Sequence, residues 1–305
     1  MFIKQDKLRP ITNVACVSSK MNELYVEYTD KETFVKEIFY HNLLPFQKSL
    51  VNLDDFKKFY KNGSKIEVRD GVMKIEYIAN TYELPIIPYV ELPKLDPIFN
   101  EDGISISKSL ASAYKRHKGF IYEDLEVVYV KDGYIFTTDL DVVCATHSEN
   151  LPEGFYEIRL LELLSEVGET TLYPSELQYT IFDGNSPLIR LKRDNLVKFF
   201  NIFPKVGMLN LLTKHFDCAI MIKATELKKK LRLFDCEEIT ISNSLDSDTI
   251  HEFLGGLGAP KIVVDFKSLK SVASRLSGGV TIHFGDNMIK LEDNKGFYVI
   301  GGNKE

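Results

Sequence analysis

The chain lacks most of the features that mark a membrane protein, a metalloprotein or a nucleotide-dependent enzyme. It has no apolar run near the roughly 20 residues that a membrane-spanning helix needs, and its opening residues MFIKQDKLRP hold no hydrophobic stretch of the signal-peptide kind. A soluble, cytoplasmic protein is the expectation. The four cysteines, Cys16, Cys144, Cys218 and Cys236, lie far apart with no CxxC, and read as reduced core residues on strands or strand ends. None of the six histidines has a second histidine at the helix or strand spacing that completes a metal site. A GxxxxGK phosphate loop is missing, and the glycines of FLGGLGAP (253–260) precede a strand where a phosphate cradle would open a helix, so they read as a flexible turn. Asp139 and Asp141 share one face of an extended strand, but no third ligand lies near them in sequence. No metal and no cofactor is expected. Positive charge is also in deficit, with 38 Lys and Arg against 44 Asp and Glu for a net charge of −6, which argues against a surface that coats nucleic acid everywhere.

What is present is repetition. The segments 52–77, 159–184 and 265–293 each read as a short amphipathic helix, a break, a strand, a turn and a second strand, because helix-spaced apolar residues give way to alternation around Asp-Gly, Pro-Ser or Gly-Asp. Weaker copies of a related half-unit lie at ISISKSLASAYKRHKG followed by DLEVVYVKDGYIFTTDLDVVCAT, and at KATELKKKLRLF followed by EEITIS. The spacing of about a hundred residues matches a small domain and exceeds a solenoid repeat. With 305 residues, 44% of them apolar, the chain has material for two or three α+β domains. Four of its eleven prolines fall in LPIIPYVELPKLDP (84–97), which places one boundary there, and a second falls near NIFPKVGMLN (201–210). The expected domains are 1–95, 96–205 and 206–305. Residues 245–260 read as a loop or short helix between strands.

The charges are segregated by element. In the helix expected at 52–61, Leu53, Phe56, Phe59 and Tyr60 take one face and leave Lys57, Lys58 and Lys61 on another. At 105–118, Leu110, Ala113 and Tyr114 face inward while Lys108 and Lys115 share an outward face continued by Arg116 and Lys118. At 225–234, Leu227, Leu231 and Phe234 are core candidates, with Lys228, Lys229 and Arg232 outward. At 265–276, Phe266, Leu269, Val272 and Leu276 form the stripe, with Lys267 and Lys270 outside it. A helix with cations outside is ordinarily just a solvated face. Four of them in an acidic chain, brought onto one surface by related modules, sum to a positive track suited to phosphates and blind to sequence. The helix at 159–167 is the exception, since its polar face carries Glu162, Ser165 and Glu166, with Arg159 alone at its start.

In order, VNLDDFKKFYKNGSKIEVRDGVMKIEY with its proline-marked exit, VKDGYIFTTDLDVVCAT with LPEGFYEIRLLELL, and VVDFKSLKSVASRLSGGVTIHFGDNMIKLEDNKGFYVIGG resemble the bacterial and bacteriophage sliding clamps, processivity factors of the DNA polymerase III beta-subunit type. The resemblance is diffuse but covers most of the chain, and the Thr138-Asp139 strand end is its best local signature. It implies three similar domains per chain, helices inside and antiparallel sheets outside, closed head to tail into a ring around double-stranded DNA. The basic helices would then line the bore, and the ring would tether a replicative DNA polymerase without any catalysis. It also implies a pocket that accepts a short apolar peptide from polymerase and clamp loader, walled here by Leu140, Val142 and Val143, by Tyr122, and by Tyr298, Val299 and Ile300. Thr-Asp is followed by Leu140-Asp141 where the family usually has Gly and a small basic-containing run, the chain is shorter than a typical bacterial clamp, and it closes on YVIGGNKE. These departures favour a phage or otherwise divergent clamp.

A homodimer of three-domain chains is the expected ring, although three two-domain chains also make six modules. Tandem α+β modules with an acidic surface equally suit a phage tail or baseplate component, which should show no salt-dependent DNA affinity. An enzyme of nucleotide or nucleic-acid metabolism would have to rest on Asp139, Asp141 and His147 with a divalent metal, and would lose activity on Asp139→Asn.

Overall fold

The computed structural model describes residues 13–29, 32–40, 45–88, 92, 96–97, 102–121, 126–148, 150–175, 178–182, 188–192, 210–212, 214–216, 218–256 and 258–304. The described residues begin with three strands, β1 (Val14–Lys20), β2 (Glu23–Thr29) and β3 (Thr33–Tyr40). Among the described residues one pattern then occurs five times: a strand, a helical segment and three more strands. Its first copy is β4 (Phe46–Asn52), α1 (Leu53–Phe59), β5 (Lys65–Arg69), β6 (Val72–Tyr77) and β7 (Asn80–Pro85). The second is β8 (Ile104–Ile106), α2 (Lys108–Ala111), α3 (Tyr114–His117), β9 (Val127–Lys131), β10 (Tyr134–Thr138) and β11 (Val142–His147). The third is β12 (Gly154–Glu157), α4 (Ile158–Val167), β13 (Thr170–Pro174), β14 (Gln178–Phe182) and β15 (Leu188–Lys192). The fourth is β16 (Cys218–Lys223), α5 (Ala224–Leu231), β17 (Glu238–Ile241), β18 (Ser244–Asp246) and β19 (His251–Phe253). The fifth is β20 (Ile262–Asp265), α6 (Phe266–Arg275), β21 (Gly279–Phe284), β22 (Met288–Asp293) and β23 (Gly296–Lys304).

Local chemistry writes each copy. The Asn52 side chain caps α1 by accepting from the Asp55 N–H at 3.0 Å, and the Asp265 carboxylate caps α6 by accepting from the Ser268 N–H at 2.6 Å. Asp54 and Asp55 occupy the first turn of α1 and Lys57 and Lys58 its last, so its charges also complement the helix dipole. Asp70-Gly71 and Asp132-Gly133 both take left-handed φ angles, of 51° and 77° and of 49° and 77°, the turn geometry that joins tightly twisted hairpins. In β21 and β22 alternate residues are buried, and their register pairs Ile282 with Leu291 and Phe284 with Ile289 in the core.

These elements gather into two compact units, Met1–Ala111 with Glu166–Asp194, and Ser112–Ser165 with Asn195–Glu305. In the first, an eight-stranded antiparallel sheet runs β4-β1-β2-β3-β15-β14-β13-β8, beside a three-stranded sheet β5-β6-β7. The second is a twelve-stranded sheet in which β12-β9-β10-β11 joins β23. Strand β23 is the stitch: one edge pairs with β22, while the other pairs first with β11 (Val142 opposite Ile300) and then with β20 (Val264 opposite Gly302). Gly302 makes the second pairing possible, because a Cβ there would sit 2.5 Å from the Val263 carbonyl oxygen. Under this sheet Leu227 and Leu231 of α5 and Leu269 and Val272 of α6 pack with Phe120, Ile239, Ile282 and Tyr298 in one apolar cluster.

Each unit takes strands from two of the expected domains, since β3 bonds β15 and β11 bonds β23, so the compact units do not divide where prolines suggested domains would. Most of the expected second boundary, 201–209, lies outside the described residues. Two readings need correction. The helix expected over 105–118 is a short strand and two one-turn helices, with Leu110 N–H on the Ser107 hydroxyl at 3.2 Å. The segment 245–260 is neither loop nor helix at its start, because β18 and β19 pair there, and the following turn wraps Asn243, whose side chain donates to the Gly255 carbonyl at 3.2 Å and accepts from Ala259 N–H at 3.0 Å. Among the described residues no helix is long and apolar enough to cross a membrane.

Candidate nucleic-acid interface

In the first unit, Leu53 and Phe56 of α1 are buried, Lys58 and Lys61 are exposed, and Lys57 is half-buried with its ammonium 4.7 Å from the centre of the Tyr28 ring. Burial holds Lys57 below the ordinary lysine pKa, partly offset by the Glu37 charge. Lys108, at the start of α2, is exposed.

The second unit shows how a very short helix is oriented without an apolar stripe. Lys115 and Lys118 are exposed, but Arg116, which was expected outward, is only 7% exposed. Its Nη1 donates to both carboxylate oxygens of Asp293, at 2.8 and 3.0 Å, and its Nε donates to the Tyr298 hydroxyl at 3.1 Å. Burial alone would lower the Arg116 pKa, but Tyr298 and Asp293 beside it raise it above its ordinary value. The same carboxylate accepts the Ser277 and Lys295 N–H groups, at 3.0 and 2.9 Å. The adjacent His117 is fully enclosed, with Nδ1 2.7 Å from the Thr137 hydroxyl and Nε2 2.8 Å from that of Thr146. Burial, reinforced by the Arg116 charge, takes its pKa down to about 3, so the ring is neutral near pH 7. Arg116 is thus removed from the outward set by tertiary polar contacts that helix periodicity does not reveal.

On α5, Lys229 and the following Arg232 are exposed, while Lys228 is half-buried and donates to the Leu276 carbonyl at 2.8 Å. On α6, Lys267 and Lys270 are exposed, opposite the buried Phe266, Leu269, Val272 and Ala273. The division of apolar and cationic faces on α1, α5 and α6 therefore follows the periodicity. Helix α4 buries Leu160, Leu161, Leu163 and Leu164, and its Glu162 accepts from the Tyr114 hydroxyl at 3.0 Å.

The expected peptide-pocket residues behave differently. Val142, Tyr298 and Ile300 belong to the large apolar cluster, and Val299 with half-buried Val143 to a neighbouring one, because β11 and β23 are central strands of the sheet. As strand residues filling the core, Val142, Tyr298, Val299 and Ile300 present no exposed wall. Tyr122 lies outside the described residues. Leu140 alone stands out, 63% exposed in a tight turn at φ 85°. That turn is held by Thr138, whose hydroxyl accepts from Leu140 N–H at 2.9 Å, and by Asp139, whose carboxylate accepts from Asp141 and Val142 N–H at 3.2 and 2.8 Å. Burial raises the Asp139 pKa, and the carboxylate is engaged by its own backbone. Among the described residues no group of three or more His, Cys, Asp or Glu is placed to hold a metal ion.

Repeated strand-helix-three-strand copies, with cations on the solvent faces of α1, α5 and α6, make the class of this protein an α+β scaffold of antiparallel sheets and short helices. Comparison with solved structures gives it a particular form, that of DNA polymerase III beta subunits. The beta subunit from DNA polymerase of Streptococcus pyogenes superposes with a TM-score of 0.74 over 99% of this chain and 95% of that one, at 12% identity. The beta subunit from Thermotoga maritima gives 0.73 over 99% and 94%, at 11% identity. The Helicobacter pylori beta clamp bound to DNA ligase peptide gives 0.72 over 97% and 92%, at 14% identity. No family model matches the chain. Among curated proteins, uncharacterized protein L180 of Acanthamoeba polyphaga mimivirus is 27% identical over 172 residues, 55% of this chain and 43% of that protein. The match spans less than half of that relative.

Proposed function

We propose that this chain is a DNA sliding clamp, a non-enzymatic processivity factor that closes as a homodimeric ring of six clamp-like domains around duplex DNA and tethers a replicative polymerase. The observation that carries this reading is the coincidence of the beta-subunit fold over nearly the whole chain with helices whose solvent face is cationic in an acidic protein. The cations available to phosphates are Lys58, Lys61, Lys108, Lys115, Lys118, Lys229, Arg232, Lys267 and Lys270, all exposed. Lys57 and Lys228 are partly engaged elsewhere, and Arg116 serves the core. A topological tether needs only such weak, sequence-blind contacts, because dissociation requires the ring to open. Polymerase and clamp loader would engage a surface that includes Leu140.

The test is retention. Loaded onto a nicked circular plasmid, the protein should stay bound through gel filtration at moderate salt and be released when the plasmid is cut once. Equal retention on circular and linear DNA would refute encirclement, and a mass of one chain at all concentrations would refute the dimer.

A further inference from the structure

We infer that Arg275, outside the set of DNA-facing cations, is a positioning residue that locks α3 to α6 so that Lys115 and Lys118 stand in fixed register with Lys267 and Lys270. This rests on the proposed DNA-facing role of those lysines. Helix α3 is four residues long, and its exit, Lys118–Phe120, is where register has to be set. Arg275 does this from the last turn of α6. Its Nη1 is anchored on its own helix, donating to the Ser271 carbonyl at 2.9 Å and to the Ser271 hydroxyl at 2.7 Å. Its Nη2 crosses to the Lys118 carbonyl at 2.6 Å, and the guanidinium lies 4.5 Å from the centre of the Phe120 ring.

Residue 119 leaves room for that crossing. Gly119 has φ +91°, and a Cβ there would come within 2.9 Å of the guanidinium nitrogen. Phe120 in turn is buried in the same cluster as Leu269 and Val272 of α6, so the segments on either side of the bridge share one core. Only a planar fork spans the two helices in this way; a lysine ammonium reaches one acceptor or the other. With its fork turned to protein acceptors, Arg275 acts through its neighbours and not on phosphate.

The experiment measures affinity for a short linear duplex over a series of salt concentrations. Removing two phosphate contacts in Lys115→Gln/Lys118→Gln should lower the slope of log affinity against log salt by about 1.8. Arg275→Gln should lower it by a similar amount, Arg275→Lys should stay close to Arg275→Gln, and the triple variant should lose nothing beyond the double. A melting curve checks the folding of each variant, and Arg275→Lys, which keeps the charge and most of the length, decides the matter if Arg275→Gln is poorly folded. An unchanged slope in Arg275→Gln, or full rescue by lysine, overturns the inference and leaves the DNA-binding reading standing. A further fall of about 0.9 in the triple variant means that Arg275 meets phosphate itself, and also overturns it. No change in Lys115→Gln/Lys118→Gln removes the DNA-binding reading of this surface, and the inference with it.

Discussion

Acidification should destabilise the second unit through one enclosed imidazole. His117 has both ring nitrogens on threonine hydroxyls and a pKa of about 3 in the folded chain, while an unfolded histidine titrates near 6.5. Between these values the unfolded state binds the extra proton, so the stability this ring contributes is complete above about pH 6.5 and is lost as the pH falls towards 3. Linkage over that interval gives a loss of about 2 kcal/mol between pH 7 and pH 5, most of it below pH 6.5. Urea unfolding at the two pH values, followed by circular dichroism, measures the loss in the wild type and in His117→Gln, whose amide still donates and accepts between the hydroxyls but does not titrate. Carboxylates contribute alike to both proteins and cancel in the comparison. The wild type should lose about 2 kcal/mol more than the variant. Equal losses would refute the assignment of a neutral, sealed His117.

Three further changes follow from the same contacts. Asp293→Leu leaves the Arg116 charge buried without its partner and should cost about 3–5 kcal/mol in denaturant unfolding, whereas Arg116→Met/Asp293→Leu should recover most of it; an additive double variant would contradict the pairing. Gly302→Ala should force β23 away from β20 at a cost of about 1–3 kcal/mol and abolish hydrogen-exchange protection at Val263, which lies opposite Asn303, and intact protection would contradict the close approach. Leu140→Gly should raise the melting temperature, because the left-handed backbone at φ 85° costs a leucine about 1–2 kcal/mol and a glycine almost nothing; a lower melting temperature would show that the exposed side chain packs.

The repeat, the hairpins and three of the cationic helices were legible in the sequence because each depends on local period and turn chemistry. Asp70-Gly71 and Asp132-Gly133 announce their turns, and the stripe from Phe266 to Val272 announces α6. What stayed hidden depends on distant partners. Arg116 reads as one more outward cation until Asp293, far along the chain, is brought beside it. The valines and tyrosine assigned to a pocket are apolar whether they line a groove or fill a sheet, and only the folded chain shows Val142, Tyr298 and Val299 buried and Val143 half-buried. Arg275 carried no periodic signal either, since its partner is a backbone carbonyl. Gly119 was the available hint: a glycine directly after a basic turn, where the chain passes close to another side chain.

Strand β23 follows in the chain every strand to which it bonds, and this fixes an order of events during synthesis. A nascent chain that has reached Lys295 already holds β11, β20 and β22 but lacks the strand that joins them, so three edges with open backbone donors and acceptors await the same nine residues. The first unit has all its described strands once Lys192 has left the ribosome. The second completes its sheet only after β23 emerges, across a separation that brings Val142 to Ile300. Ribosome-bound chains stalled before residue 296 should therefore be cut by protease in the second unit and resistant in the first, and the protein's exposure to aggregation is concentrated in that interval.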